Sequence, residues 1–343
     1  MRAIRRRELL RIAAADLVGL AEAAQVREAL TVLAAVTVEA ALAAAVRKVE
    51  LEIRGPLPTR ICVVAMGRLG GHETGYASDA DVMFVHDPLP GADEQAATRA
   101  AHAVAEELRG LLARPGPDPA LVIDPDLRPE GRQGPLVRSL ASYRAYYRRW
   151  AVAWEAQALL RAEPVAGDPA LGRAFTALAD EFRYPAGGLA EASVREIRRI
   201  KARIEAERIP RGTDPALHLK LGPGGLADVA WVVQLIQLRQ AGAVAGLRTT
   251  RTLAALAAAE EAGLIGADDA RALRSAWLLA ARIRDAVMLV HGRPSDTLPA
   301  RQAALAAVAR LLGYQPDAAQ DLVQDYRRGA RRARAVMERL FYG

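Results

Sequence analysis

Apolar positions at helical spacing dominate this chain, and only a few short segments break the pattern. In residues 5–50 apolar side chains recur every three or four positions, which predicts two or three helices. The same spacing returns in residues 94–112 and in the Ala/Leu-rich residues 247–343. Residues 61–66 and 81–86 are instead short, almost continuous apolar runs, which indicate buried strands. The pattern predicts a small sheet in the first half of the chain, flanked and followed by helices.

Acidic residues stand where two of the predicted strands begin or end. Asp79 and Asp81 are two residues apart at the start of the second strand, so their side chains point to one face. A third short strand is predicted at residues 121–124, and Asp124 closes it. Carboxylates held on one face repel each other unless a cation neutralises them. Three acids on adjoining strands therefore favour a metal site for phosphoryl or nucleotidyl transfer.

A glycine-rich turn with Gly67, Gly70 and Gly71 separates the first strand from this acidic pair. Glycine lets backbone N–H groups come close to phosphates, and Mg²⁺ binds one or two carboxylates together with nucleotide phosphates. An isolated Asp-x-Asp is more often a charged turn than a metal site. The neighbouring glycine turn and strands reverse that preference here.

The chain is predicted to be helical without interruption from Ser142 onward. Aromatic residues recur in this region at three- and four-residue spacing, a pattern that is more often core than a platform for base stacking. We therefore expect the aromatic side chains to be buried between helices. They are Tyr143, Tyr146, Tyr147, Trp150 and Trp154.

A second glycine motif, KLGPGGLAD, runs from Lys220 to Asp228 before a predicted helix. A helix N-terminus after glycines can receive an anion, and Lys220 would add positive charge there. The alternative is a tight turn in which Asp228 serves only as a charge at the helix start. The residues themselves favour neither.

The positive charge of the chain favours an anionic binding partner, and its composition excludes several classes of protein. The formal charge is +7 with a pI near 9.9, but only three of the 47 basic residues are lysines, so genome composition is an alternative explanation. Cys62 is the single cysteine, which excludes disulfides and a thiolate metal site. Because neither a charge-free run of about 18 apolar residues nor a signal peptide is found, we expect a cytoplasmic protein without membrane contact. The absence of an aromatic RNA-stacking motif or a basic stripe argues against nucleic acid.

Four separated motifs make the chain resemble the glutamine synthetase adenylyltransferase family. Members are bifunctional regulators with two nucleotidyltransferase domains in one long chain. One half transfers AMP from ATP to a tyrosine of glutamine synthetase, and the other removes AMP by phosphorolysis. The present chain contains one such unit and looks like the C-terminal, adenylylating half. The motifs are GRLGGHETGYASDADVMFVHD, IDPDLRPEGRQGPLVRSLASYRAYY, WEAQALLRAEPVAGD and KLGPGGLADVAWVVQLIQL.

The resemblance implies a role for the residues that match a family motif, while Arg128 and Lys220 are added for the chemistry of their own charged groups. Asp79, Asp81 and Asp124 match the metal-binding and catalytic acids, with Mg²⁺ or alternatively Mn²⁺ as the metal and ATP as the substrate. Arg128 would contact the triphosphate, although a surface pair with Glu130 is the alternative. The remaining residues that would bind nucleotide are Gly70, Gly71, Ser78 and Lys220.

The chain departs from the family pattern at two positions. Asp126 stands where many members have an arginine, and it would either add a metal-side acid or remove a phosphate contact. Ala230 replaces a glutamate that usually follows the second glycine motif, which puts in doubt any role that needs a second acid there.

The sequence thus predicts an α+β fold, in which a nucleotidyltransferase-like small mixed sheet with flanking helices precedes an all-α domain. We expect N-terminal helices in residues 1–55, the catalytic domain in 56–160 and a helical, target-binding domain in 161–343. Glutamine synthetase would be the protein substrate and a PII-type signal protein the regulator. The alternatives are phosphorolytic removal of AMP and a non-catalytic module that binds nucleotide or PII.

Overall fold

The computed structural model describes residues 1–315 and 317–343, which form one five-stranded mixed sheet and many helices, as predicted. The strands are β1 (Thr59–Ala65), β2 (Ala80–Pro88), β3 (Ile123–Asp124), β4 (Val137–Ser139) and β5 (Glu163–Gly167). The helices are α1 (Arg2–Leu17), α2 (Ala23–Ile53), α3 (Gly67–Gly70), α4 (Glu94–Ala113), α5 (Leu140–Trp150), α6 (Ala153–Leu159), α7 (Pro169–Arg183), α8 (Glu191–Glu207), α9 (Leu226–Gln240), α10 (Thr252–Glu261), α11 (Ala267–His291), α12 (Gln302–Leu311) and α13 (Ala319–Met337).

The described residues form two compact units. The first contains Met1–Thr74 and Ser78–Arg183, and the second contains Gly75–Ala77 and Tyr184–Gly343. The first unit thus includes the N-terminal helices and continues past residue 160, where the sequence analysis places the end of the catalytic domain. The reason is that β5 pairs with β1 and α7 packs against both strands.

Strand β5 shows that the prediction of uninterrupted helix after Ser142 was wrong. Its sequence, EPVAG, has no apolar alternation long enough to stand out from the surrounding helices. Pro164 is tolerated because β5 lies at the edge of the sheet, where a missing N–H need not break the ladder. Gly167 takes a positive φ of +89°, and an added Cβ would lie 2.3 Å from the carbonyl oxygen of Ile61.

Strand β2 is the centre of the sheet. It runs antiparallel to β1 on one side, and on the other side it runs parallel first to β3 and then to β4. The register pairs Ala80 with Ile123 at the start of β2 and His86 with Ser139 near its end. The residues that begin β2 and end β3 therefore meet at one end of the sheet.

Both faces of β1 and β2 are buried, which explains why these strands are continuous apolar runs rather than alternating ones. On one face Val63 and Phe84 pack against α2 and α4, which are rich in alanine and leucine. On the other face Val64 and Met83 pack against α5 and α7. Cys62 lies in this second core, where burial raises the pKa of its thiol to about 12, so it behaves as a small apolar side chain.

Among the described residues, α2 is the helix with the length and apolar character to span a membrane. Glu39 interrupts its apolar run, and 44% of its most apolar window is buried within the structure. Val38, Ala41 and Ala45 of this helix are fully buried in the core of the first unit. These contacts are those of a core helix.

Candidate active site

The three predicted acids meet at the end of the sheet where β2 begins. Asp81 pairs with Asp124 across the parallel β2–β3 ladder, and Asp79 immediately precedes β2. One carboxylate oxygen from each of Asp79, Asp81 and Asp124 lies within 4.8 Å of the other two. Asp79 is exposed, while the other two are half-buried. Three negative charges so close together are unfavourable without a cation.

The donor set fits a hard divalent cation. All three groups offer carboxylate oxygens, which Mg²⁺ and Mn²⁺ prefer over nitrogen or sulfur donors. Asp124 is held in place because its Oδ1 accepts a hydrogen bond of 2.8 Å from the backbone N–H of Asp126. Oriented carboxylates with an open, exposed side suit an ion that retains water or phosphate oxygens as further ligands.

Gly67 supports this arrangement, although the sequence-based site did not include it. It opens the short helix α3 with a φ of +50°, and an added Cβ would lie 2.1 Å from Asp81 Oδ2. A side chain at this position would therefore push the Asp81 carboxylate out of the cluster. The sequence feature that could have indicated this role is the position of Gly67 as the first glycine after β1.

Gly70 and Gly71 are required by packing. A Cβ at Gly70 would lie 1.8 Å from the carbonyl oxygen of Arg161, and one at Gly71 would lie 2.0 Å from Arg161 Nη1. The glycines thus let α3 approach the chain segment just before β5. Ser78 is half-buried directly before Asp79. The nucleotide-binding role of these three residues stays a prediction.

The loop between α3 and Asp79 is held by side-chain contacts that sequence reasoning missed. His72 has a positive φ of 56°, and its two ring nitrogens lie 3.2 Å from Glu28 and 3.0 Å from Glu163. Glu73 forms an almost buried ion pair of 3.0 Å with Arg161. These partners come from α2 and from the segment around β5, far away in sequence, so no local pattern indicates them.

Arg128 is buried in the loop after β3, and the alternative pairing with Glu130 is absent from the contacts described. Glu130 pairs with Arg138 instead. The guanidinium of Arg128 holds the loop together, while its predicted contact with the triphosphate stays a prediction. It donates hydrogen bonds of 2.9–3.2 Å to the carbonyl oxygens of Pro125, Arg132 and Gly134.

Asp126, the departure from the family pattern, faces arginines of the same loop. Its Oδ2 accepts a hydrogen bond of 2.6 Å from Arg132, and its Oδ1 lies 3.8 Å from Arg128 Nη1. Asp126 does not belong to the carboxylate cluster found among the described residues. We infer that it balances loop arginines.

The second glycine motif lies in the second unit and forms a tightly packed turn. Gly224 has a φ of +74°, and an added Cβ would lie 1.8 Å from the carbonyl oxygen of Ala330 in α13. Asp228 is completely buried and accepts hydrogen bonds of 2.8 Å from Gly224 N–H and 2.5 Å from Lys201 Nζ. The carboxylate of Asp228, in the first turn of α9, therefore already occupies the start of this helix. Lys220 is exposed, and its role toward nucleotide stays a prediction.

Replacing Lys201 with methionine is expected to destabilise the second unit by about 2 kcal/mol, because a buried carboxylate loses its closest cation. The loss stays below that of a completely unpaired buried charge, since Arg334 lies 3.2 Å from Asp228. Urea unfolding followed by circular dichroism measures the change. Arg203→Met, on the exposed side of the same helix, is the control and should shift stability by less than about 0.5 kcal/mol. Equal effects of both substitutions would contradict the structural role of Lys201.

A small mixed sheet with a carboxylate cluster at the start of one strand and a glycine turn beside it is the arrangement of a nucleotidyltransferase domain. A family model described as glutamate-ammonia ligase adenylyltransferase matches residues 1–178, just over half of the chain. The chain belongs to this family, whose members are nucleotidyltransferase enzymes. A second model, described as GlnD PII-uridylyltransferase, matches residues 198–341, which lie within the helical unit.

Curated relatives agree with this assignment. The chain is 56% identical over its whole length to a bifunctional glutamine synthetase adenylyltransferase/adenylyl-removing enzyme of Streptomyces coelicolor. Proteins of the same name from Nocardia farcinica and Mycobacterium tuberculosis are 53% and 51% identical over 99% of the chain. The chain covers 34–35% of the length of these relatives, about a third.

Proposed function

We propose that this chain transfers AMP from ATP to a tyrosine of glutamine synthetase and so down-regulates nitrogen assimilation. The observation that carries the proposal is the cluster of Asp79, Asp81 and Asp124, placed by two parallel strands in a chain of this family. The names of the relatives supply the substrate, because they describe enzymes that adenylylate glutamine synthetase or remove its adenylyl group.

The three carboxylates would hold one or two divalent ions, Mg²⁺ or Mn²⁺. Such an ion would neutralise the triphosphate and the charge that develops on the leaving pyrophosphate. Gly70, Gly71 and Ser78 would lie against the phosphates, with Arg128 as a further nucleotide contact. Lys220 belongs to the second unit, where its proposed role is to attract an anion to the start of α9. The exposed side of Asp79 leaves the cluster accessible to the nucleotide.

In the proposed reaction the tyrosine oxygen attacks the α-phosphorus of ATP, and the bond to the pyrophosphate oxygen breaks. The hydroxyl proton must leave, because a free tyrosine has a pKa near 10 and is almost entirely protonated at neutral pH. Asp124 would receive this proton, since its carboxylate is oriented by the N–H of Asp126. The products are an adenylylated tyrosine and pyrophosphate.

The direction of the reaction is part of the proposal, because the relatives carry both activities in one longer chain. The alternative is that the same site removes AMP from adenylylated glutamine synthetase with phosphate, giving ADP. The SDADVMFVH motif around Asp79 and Asp81 favours the adenylylating half by resemblance. A non-catalytic module is disfavoured, since three mutually repelling acids serve no purpose in a site without a cation.

Regulation and location complete the proposal. The match of residues 198–341 to a PII-uridylyltransferase model supports a PII-type signal protein as the regulator that contacts the helical unit. Glutamine synthetase as substrate implies a cytoplasmic protein.

The proposal is tested by incubating the chain with unmodified glutamine synthetase, α-labelled ATP and Mg²⁺. Label is expected on the synthetase with the native chain and not with the double variant Asp79→Asn/Asp81→Asn. A parallel reaction supplies adenylylated synthetase and phosphate. Release of ADP there, without labelling in the first reaction, would overturn the proposed direction. Activity of the double variant equal to that of the native chain would overturn the site.

A further inference from the structure

Helix α5 begins at the end of the sheet opposite the carboxylate cluster. It follows β4 directly, and Ser139 at the end of β4 pairs with His86 near the end of β2. Asp81 lies at the other end of β2, five residues or about 17 Å away. An 11-residue helix is about 16 Å long, so α5 has the length to return to the level of Asp81.

Two hydrogen bonds show that α5 does return toward the cluster. The hydroxyl of Tyr143 donates to the carbonyl oxygen of Phe84, and one turn later the hydroxyl of Tyr147 contacts the sulfur of Met83. The contacts therefore move along β2 toward Asp81 as α5 proceeds. This course directs the C-terminal end of α5, and with it Trp150, toward the end of the sheet that carries the carboxylates.

Trp150 departs from the expectation that the aromatic residues of this region are core. Tyr143 and Tyr147 are buried, but Trp150 is 59% exposed, and Val152 beside it is 39% exposed. The guanidinium of Arg149 stacks on the indole at 4.9 Å from the ring centroid. An exposed tryptophan with an arginine on its face is the kind of residue pair that dominates protein interfaces.

The chain segment that carries this pair is positively charged, although Glu155, just beyond it, accepts a hydrogen bond of 3.1 Å from the backbone N–H of Val152. Residues 131–154 contain five arginines and no acidic residue. Arg144 and Arg149 are exposed on α5, and Arg148 makes a long, exposed pair of 3.4 Å with Glu181. Glu181 balances the charge of Arg148, so the positive charge of this surface comes from Arg144 and Arg149.

We propose that Trp150, Arg149 and Val152 form a docking surface for the protein that supplies the acceptor hydroxyl, and that this surface binds an acidic, partly apolar segment of that protein. The inference rests on the proposed function. The indole and Val152 would bury apolar area, while the arginines attract the acidic segment and orient it. Docking at this end of the sheet would bring an acceptor side chain toward Asp124.

A protein partner is favoured over a nucleic acid because a single indole, covered on one face by Arg149, offers no series of stacking surfaces for successive bases. The α4 face of the same unit provides a contrast. Arg99 on α4 is exposed, but its guanidinium lies 3.9 Å from Asp93, and no exposed aromatic residue accompanies it in that helix.

The test measures binding of the chain to immobilised glutamine synthetase and, separately, the steady-state constants of AMP transfer. Trp150→Ala is expected to weaken binding and to raise KM for the synthetase at least tenfold, with KM for ATP within twofold of the native value. Arg149→Gln should raise KM for the synthetase about threefold and reduce its dependence on salt. Leu10→Ala, at a 70% exposed position of α1, and Arg99→Gln are controls expected to change neither value.

The outcomes separate docking from catalysis. Binding that is lost with Trp150→Ala supports the docking surface even when no AMP is transferred, a result that would count against the proposed function alone. Transfer with an unchanged KM for the synthetase in Trp150→Ala would overturn the docking surface and leave the proposed function standing. The docking surface would also be overturned if the native chain bound single-stranded RNA through Trp150 and did not bind the synthetase.

Discussion

Replacing Asp81 with asparagine is expected to lower the rate of AMP transfer at least about a thousandfold, which corresponds to about 4 kcal/mol of lost transition-state stabilisation. Asp81 is the central member of the cluster, since it faces Asp124 across the ladder and follows Asp79, the residue just before β2, by two positions. Without its charge the site loses a third of the negative charge that attracts a divalent ion. Transfer of label from ATP to glutamine synthetase measures the effect.

The same variant has a second readout that does not depend on an acceptor protein. A divalent ion bound by the native chain would relieve repulsion among the three carboxylates, so added Mg²⁺ or Mn²⁺ should raise the midpoint of thermal unfolding. The shift should be much smaller in Asp81→Asn, and the metal-free variant should be as stable as the native chain or more so. A metal-induced shift of equal size in both proteins would contradict the assignment of the metal site.

Asp87→Asn provides a control on the same strand. Asp87 lies near the other end of β2 and forms an ion pair with Arg60. Both partners are partly exposed, so the pair contributes little to stability. We expect this variant to retain the native rate of transfer and the native response to metal. A thousandfold loss here as well would show that the assay reports the integrity of β2 and not the carboxylate cluster.

The parts of the fold that sequence predicts well are those with strong local patterns. β1 and β2 are continuous apolar runs, and both lie within two residues of their predicted bounds. The helix predicted at residues 94–112 ends one residue later, at Ala113. Asp79, Asp81 and Asp124 come together because the order of strands forces the start of β2 and the end of β3 to one end of the sheet.

The contacts that position the site are not visible as any local pattern in the sequence. The segment of β5 is short and contains Pro164, so its sequence is typical of a loop. In the structure it nevertheless pairs with β1 and extends the sheet. His72 and Glu73 find their partners some 44 to 91 positions away in the chain. Pairing over such distances depends on the completed fold, and a single sequence does not record it. Helical spacing places Trp150 on the same face of α5 as Tyr143 and Tyr147 and therefore predicts that it is buried. At the end of α5, however, this face is exposed to solvent.

Gly70→Ala is expected to lower the free energy of unfolding by at least about 3 kcal/mol, because the new methyl group meets backbone on two sides. An ideal Cβ would lie 1.8 Å from the carbonyl oxygen of Arg161 and 2.7 Å from that of Ala65. Neither atom belongs to a flexible side chain, so α3 and β1 must move apart. Urea unfolding followed by circular dichroism measures the loss.

Gly110→Ala is the matched control for this substitution. Gly110 lies three residues before the end of α4 with open space around its Cα, so the same added methyl group meets nothing within 4 Å. Alanine reduces the entropy of the unfolded chain there and should stabilise the protein by about 0.5 to 1 kcal/mol. The two glycines are thus expected to give effects of opposite sign.

The Gly70 variant also separates packing from phosphate binding. If Gly70 serves only to admit phosphate to the backbone, alanine would raise KM for ATP and leave the unfolding transition unchanged. The contact with Arg161 predicts that stability and transfer fall together, because Arg161 also pairs with Glu73 in the loop that leads to Asp79. Unchanged stability combined with a raised KM for ATP would therefore assign the glycine turn to the nucleotide and contradict its structural role.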